Sequence, residues 1–129
     1  MTDIVDYLIT NYYEKLGLMY ERQYLTYALE KLKDKTIVIR RGGNIVGVAV
    51  YLALTNDSYL KFVDRTEYSP NDVDDLSKEN GENVHFILVC TNGSDVILEG
   101  LKEVIKCHSP RIVSWWNRDR SKLNKYRLN

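Results

Sequence analysis

The apolar residues Ile4, Val5, Leu8, Ile9, Tyr12 and Leu16 recur at three- and four-residue spacings, the pattern of a helix with one buried face. Thr2 or Asp3 is placed to cap its start. Gly17 interrupts the pattern, which resumes at Met19, Tyr20, Tyr24, Tyr27, Ala28 and Leu32 and predicts a second helix ended by Lys33-Asp34-Lys35. The period then changes. Thr36–Arg40 is β-branched and strand-like, Arg41-Gly42-Gly43-Asn44 is turn chemistry, and Ile45–Leu54 is a long apolar run, so 36–54 is predicted to be a hairpin.

Ser58–Val63 fits either a third strand or a short helix. Pro70 opens a short helix, PNDVDDLSKE, which Asn80-Gly81 stops. Val84–Cys90 is nearly continuous in apolar residues, as in a central strand covered on both faces. Asn92-Gly93-Ser94-Asp95 is a turn and helix cap, and the stripe from Val96 to Ile105 predicts a helix that runs to Cys107 and ends at Ser109-Pro110. Arg111–Trp116 is the next strand, parallel to Val84–Cys90 through a right-handed crossover. RDRSKLNKYRLN reads as a short basic tail. The whole predicts one domain over 1–129 of α/β (α+β) class, a mixed sheet with helices on both faces. Leu8, Ile9, Val46, Val48, Phe86, Leu88, Leu101, Ile105 and Ile112 are its expected core.

Composition narrows the function classes. Eighteen basic and eighteen acidic residues leave no net charge, so no overall field draws the chain to nucleic acid or to a membrane. No run approaches the roughly 20 apolar residues of a spanning helix. Cys90 and Cys107 fit free thiols of a reducing, cytoplasmic setting, and no Cys/His spacing suits a metal. Ten tyrosines stand against two phenylalanines, and seven of the ten precede Leu52. Tyrosine combines apolar area with a polar end, so these helices are candidate groove walls or a protein contact surface. Residues 64–82 carry seven acids against Arg65 and Lys78, which reads as a solvated excursion.

The order helix, helix, hairpin, strand, helix, strand resembles the GNAT N-acetyltransferase superfamily. TIVIRRGGNIVGVAVYLAL is similar to that family's hairpin, VHFILVC to its central strand, NGSDVILEGLKEVIK to its pyrophosphate loop and helix, and RIVSWWN to the strand that splays away. A narrower resemblance in layout is to the RTX-toxin-activating lysine acyltransferases, which take acyl-carrier protein as donor. Here residues 1–84 lack the histidine and the strand lacks the aspartate on which that family relies, its position being Leu88. Small phage and prophage proteins share the "HFIL" strand and the late "SWWN".

The resemblance implies a GNAT-like fold, an acyl-CoA or acyl-carrier donor, and transfer of the acyl group to an amine. The candidate acid/base is either His85, at the head of the central strand, or Tyr126, whose place the resemblance suggests. Cys90, the amides of Asn92, Gly93, Ser94 and Asp95, and the side chains of Trp116 and Asn117 are the candidate donor-binding residues. The loop departs from the family: NGSD has one glycine and no arginine, and Asp95 sets a carboxylate where a pyrophosphate would meet the helix N-terminus. The alternative expectation is an interaction module that kept the fold and lost the cofactor, contacting a protein through the tyrosine-rich helices or the Trp115/Trp116 edge.

Overall fold

The computed structural model describes residues 1–91 and 94–128, Ser94 by its backbone alone. Helix α1 (Thr2–Leu8) runs on through a π-helical stretch, Ile9–Tyr13, into α2 (Glu14–Leu16). Gly17 closes it at φ 67°, a left-handed conformation that glycine adopts without a Cβ penalty. Neither expected cap forms at its start. Met1 holds that position without a side-chain bond, and Asp3 pairs with Arg40 instead. The next helix, α3, spans only Arg22–Lys31. Met19 and Tyr20, expected within it, lie with Leu18 in an exposed loop in which Met19 is 96% exposed.

Strands β1 (Thr36–Arg41) and β2 (Asn44–Leu54) make the predicted hairpin. The ambiguous stretch is helix α4 (Asn56–Phe62), capped by the Thr55 hydroxyl. Helix α5 (Pro70–Ser77) starts with a reciprocal capping box between Ser69 and Asp72. Then come β3 (Asn83–Thr91), α6 (Ser94–His108), β4 (Ile112–Trp116) and β5 (Leu123–Arg127). Strand order is β1-β2-β3-β4-β5, with β3 and β4 parallel and every other pair antiparallel. The presumed tail is therefore an edge strand. Its lysine and arginine at alternate positions hid it in the sequence, and charge of this kind keeps an edge from pairing with other chains.

Core forms on both faces of the sheet. On one, Val48, Val50, Leu52 and Leu54 pack against Val5 and Leu8 of α1, Leu25 and Leu29 of α3, and the short helices α4 and α5. On the other, Ala49, Tyr51, Val84, Phe86 and Val113 pack with Val104 of α6. Leu8, Ile9, Val48, Phe86 and Ile112 are buried as expected. Val46, Leu88 and Leu101 are half-buried, and Ile105 is 43% exposed. The reason is geometric: α6 is apolar over a wider arc than the sheet covers, so Val96, Gly100 and Val104 face inward while Leu98 and Ile105 face out.

Part of the acidic excursion is built into the fold. Asp74 accepts from the Tyr27 hydroxyl at 2.6 Å, and Glu79 accepts from the Thr55 amide and Ser58 hydroxyl. The buried Lys35 ammonium donates to the Ser77 carbonyl at 2.8 Å.

Two glycines give opposite expectations. A Cβ on Gly81 would lie 2.1 Å from the Leu54 carbonyl oxygen, a backbone atom that cannot yield. Gly81→Ala should lower the unfolding midpoint, by 1–3 kcal/mol or about that in stability. Gly100 lies inside α6 with only Ile37 Cδ1 near, at 3.9 Å. Gly100→Ala should raise stability by about 0.5–1 kcal/mol through helix propensity. Urea unfolding of both variants checks the pair.

Candidate functional site

Strands β3 and β4 pair from Asn83 with Ile112 to Phe86 with Trp115, and no further. Beyond Phe86 the β4 side of β3 has no partner strand among the described residues, so Ile87–Thr91 presents a free backbone edge there. The strands part beside an irregularity. Val50 pairs with Leu88 while Tyr51 pairs with Phe86, which leaves Ile87 as an extra residue on β3. A bulge of this kind re-aims backbone groups and recurs beside active sites.

The other wall of the split is the β4–β5 turn. The Asn117 amide donates to the Lys122 carbonyl, and the Asn117 side chain accepts from Asn124 at 2.7 Å. Trp116 leans onto the end of α4, where its indole N–H donates to the Val63 carbonyl at 2.7 Å. Arg120, at φ 64°, lies over the Trp116 ring at 4.5 Å and donates to the Asp64 carbonyl. Helix α1 and its π-helical turn roof one side. Tyr12 there feels Arg118 and Arg120 of the turn as well as Cys90 of β3, although burial dominates and raises its hydroxyl pKa.

The structure places the two acid/base candidates on opposite faces of the sheet. Paired residues share a sheet face and successive residues alternate, so His85, in register with Ser114, lies on the face of α1 and α4. Tyr126, in register with Val113, lies on the face of α6. Tyr126 is 57% exposed and stacks on Trp115 at 5.4 Å. His85 is 2% exposed. Its Nδ1 lies 2.7 Å from Ser114 Oγ, which also accepts from the Tyr59 hydroxyl at 2.8 Å. Burial, helped by the charge of Arg120, brings the His85 pKa down to about 4. The imidazole is a neutral core group just beneath the point of division, not a base at a surface.

Of the expected donor-binding residues, Cys90 is buried on the free half of β3 and its thiol pKa is raised by burial. Asn92, Gly93 and the Ser94 side chain lie outside the described residues. Asp95 is exposed and pairs with Arg41 at 3.0 Å, and Arg41 also reaches Glu99 at 2.7 Å. The hydrogen bond from Arg41 holds the Asp95 pKa below its ordinary value. A cation from the β1–β2 turn therefore faces the carboxylate at the start of α6, a pairing that sequence separation concealed. Trp116 and Asn117 stand together on the β4–β5 wall, and Trp115 turns to the other face with Tyr126.

Among the described residues no group of three metal-ligating side chains is gathered, and no helix is long and apolar enough to cross a membrane.

A parallel pair that divides midway, a bulge at the division and a long helix leading from the first strand define a GNAT-like fold. A solved structure shares it: the loading GNATL domain of CurA from Lyngbya majuscula, with a TM-score of 0.61 at 16% identity over 90% of this chain. The chain spans 59% of that neighbour's length. No family model matches the sequence, and no curated protein does.

The buried histidine yields a pH dependence with a fixed sign. Folding favours the neutral ring, so its contribution is complete above the ordinary value of 6.5 and is lost as pH falls toward about 4. The loss amounts to about 3 kcal/mol. Proton NMR should show the His85 ring neutral down to pH 5 or about that. Urea midpoints should fall over the same interval in wild type and much less in His85→Gln.

Proposed function

We propose that the chain binds the thioester end of an acyl donor, acyl-CoA or acyl-carrier protein, in the split between β3 and β4 and passes the acyl group to an amine. One observation carries this: β3 offers a free backbone edge, bulged at Ile87, where β4 leaves it. Such an edge hydrogen-bonds an extended amide-bearing arm as it would another strand. The half-buried Ile87, Leu88 and Val89 supply apolar walls. In the transfer the C–N bond forms, the C–S bond breaks, the thiolate leaves and the amine's proton passes through water to the departing sulfur, which is released as the thiol. His85 takes no part as base in this scheme, because its ring is buried and bonded to Ser114. A structural neighbour that serves as a loading domain agrees with a carrier-borne donor.

The residues suit the arm better than the phosphates. Asp95 and Glu99 place two carboxylates on the first turns of α6 and Arg41 answers with one cation. Arg118 on the opposite wall is exposed and makes no salt bridge within the described residues, which leaves it available to an anionic donor.

A second reading, a protein-interaction module, draws on the α6 face, where Leu98, Ile105 and Tyr126 are all exposed. A partner would cover these together with Trp115. In that case no acyl donor stabilises the chain.

Thermal unfolding decides between the two. Acetyl-CoA, longer acyl-CoAs or acylated carrier protein, supplied at 100 times the dissociation constant, should add about 2.7 kcal/mol. Mass spectrometry of an amine acceptor should then show the acyl mass added. Failure of every donor to move the midpoint overturns the proposal.

Asp95→Ala removes a carboxylate from the helix N-terminus and frees Arg41. Its coenzyme A affinity should rise by about 0.3–1 kcal/mol, measured by calorimetry. Fold stability should change little, since the exposed ion pair contributes only about 0–1 kcal/mol.

A further inference from the structure

The two edges of the five-stranded sheet differ. β5 carries Lys125 and Arg127, and charge guards an edge against further pairing. β1 has no such guard at Thr36, Ile37, Val38 and Ile39, which keep a regular register with β2. On its outer side no strand pairs with it, and among the described residues no backbone group of another element bonds to residues 37–39 there. These four residues are half-buried, although Val48, Ala49 and Val50 opposite them are buried. Unpaired amides and open apolar area therefore lie along one line.

A cavity of about 580 Å³ flanks this edge on the α6 side. Residues 36–39 line it together with Glu99, Glu103 and Val104 of α6, and with Asp34 just before the strand. Ile37 faces it, being paired with Ala49 of the core beneath α6. Lys102 is the one cation of the described lining, against three carboxylates. Arg41 answers Glu99 at 2.7 Å, whereas Glu103 accepts from the Cys107 thiol at 3.7 Å. Tyr51 lies in the same lining. Burial first, then the charges of Cys107, Asp34 and Glu103, push its hydroxyl pKa up to about 12.

These features select an occupant. An open edge takes up an extended segment through main-chain hydrogen bonds, and the side chains beside it set which segment fits. A second copy of the chain fits poorly. Two-fold pairing of β1 with itself sets both α6 helices on the same face and turns Glu99 and Glu103 of each toward those of the other. A cationic side chain would instead lay its stem along the apolar wall and its head group at the carboxylates. We propose that β1 is the docking edge for an extended, lysine- or arginine-bearing segment of a partner protein. The segment adds to the sheet as a further strand, its basic side chains over the cavity toward Asp34, Glu99 and Glu103. This surface lies at the opposite end of the sheet from Trp115 and Tyr126, and it does not depend on the acyl-donor reading.

The probe is a short, end-blocked peptide of alternating valine and lysine, and its counterpart has glutamate in place of lysine. Calorimetry should give one-to-one binding of the lysine peptide and binding about tenfold weaker, or none, of the glutamate peptide. Adding the lysine peptide should slow amide hydrogen exchange at outward-facing residues of β1 and leave β5 unchanged. The double variant Asp34→Asn/Glu103→Gln alters exposed groups, so its unfolding midpoint should stay where it is. Its affinity for the lysine peptide should fall about tenfold. Equal affinity for the two peptides, undiminished binding by the double variant, or protection that appears outside β1 each overturns the proposal. So does the absence of binding. A concentration-dependent dimer in sedimentation, with β1 amides protected before any peptide is added, gives the edge to a second copy and overturns the peptide assignment.

Discussion

A chain of three buried polar groups holds the place where the sheet divides. Tyr59 of α4 donates to Ser114 of β4, and Ser114 bonds His85 of β3. Ser114 is fully buried and His85 nearly so, so each bond forms in a low-dielectric interior where an unpaired group would be expensive. One residue further along, at Phe86 and Trp115, the parallel pairing ends. The chain thus ties both strands to a helix at the last point before they separate. Above it, Trp116 is drawn onto α4 and β3 continues beside β2 without β4.

Charge does similar structural work around the rest of the sheet. Of the seven acids between Asp64 and Glu82, Asp72 completes the capping box of α5, Asp74 meets Tyr27 and Glu79 holds the α4 turn, while Asp64, Glu67, Asp75 and Glu82 are exposed as a solvated run would be. Arg41 straps the β1–β2 turn to the first turns of α6 through Asp95 and Glu99. Gly47 permits the close approach there, since any Cβ would meet Val96 Cγ1 at 2.4 Å. These exposed pairs add little energy individually, but they set what an incoming anion would meet.

Most of the architecture was legible from spacing. The change from helical period to β-branched alternation at Thr36, the turn at Gly42-Gly43, the unbroken apolar run of β3 and the strand–helix–strand order all follow from local chemistry. The places where the pattern misled share one cause: a local pattern does not carry the width of its neighbour. Ile105 belongs to the apolar stripe of α6, yet the sheet is too narrow to cover it. Strand β5 alternates Leu123, Lys125 and Arg127 on one face, which reads as a tail until an edge is there to accept it.

The candidate site divides the same way. Residue types and order determined that β3, α6 and β4 would form a crossover unit, and that Cys90, Asp95, Trp116 and Asn117 would lie near its upper end. Tertiary structure alone decided which of them meet. It sent His85 and Tyr126 to opposite faces, because each is fixed by strand register and not by its own chemistry. It brought Arg41 to Asp95 across 54 residues of chain.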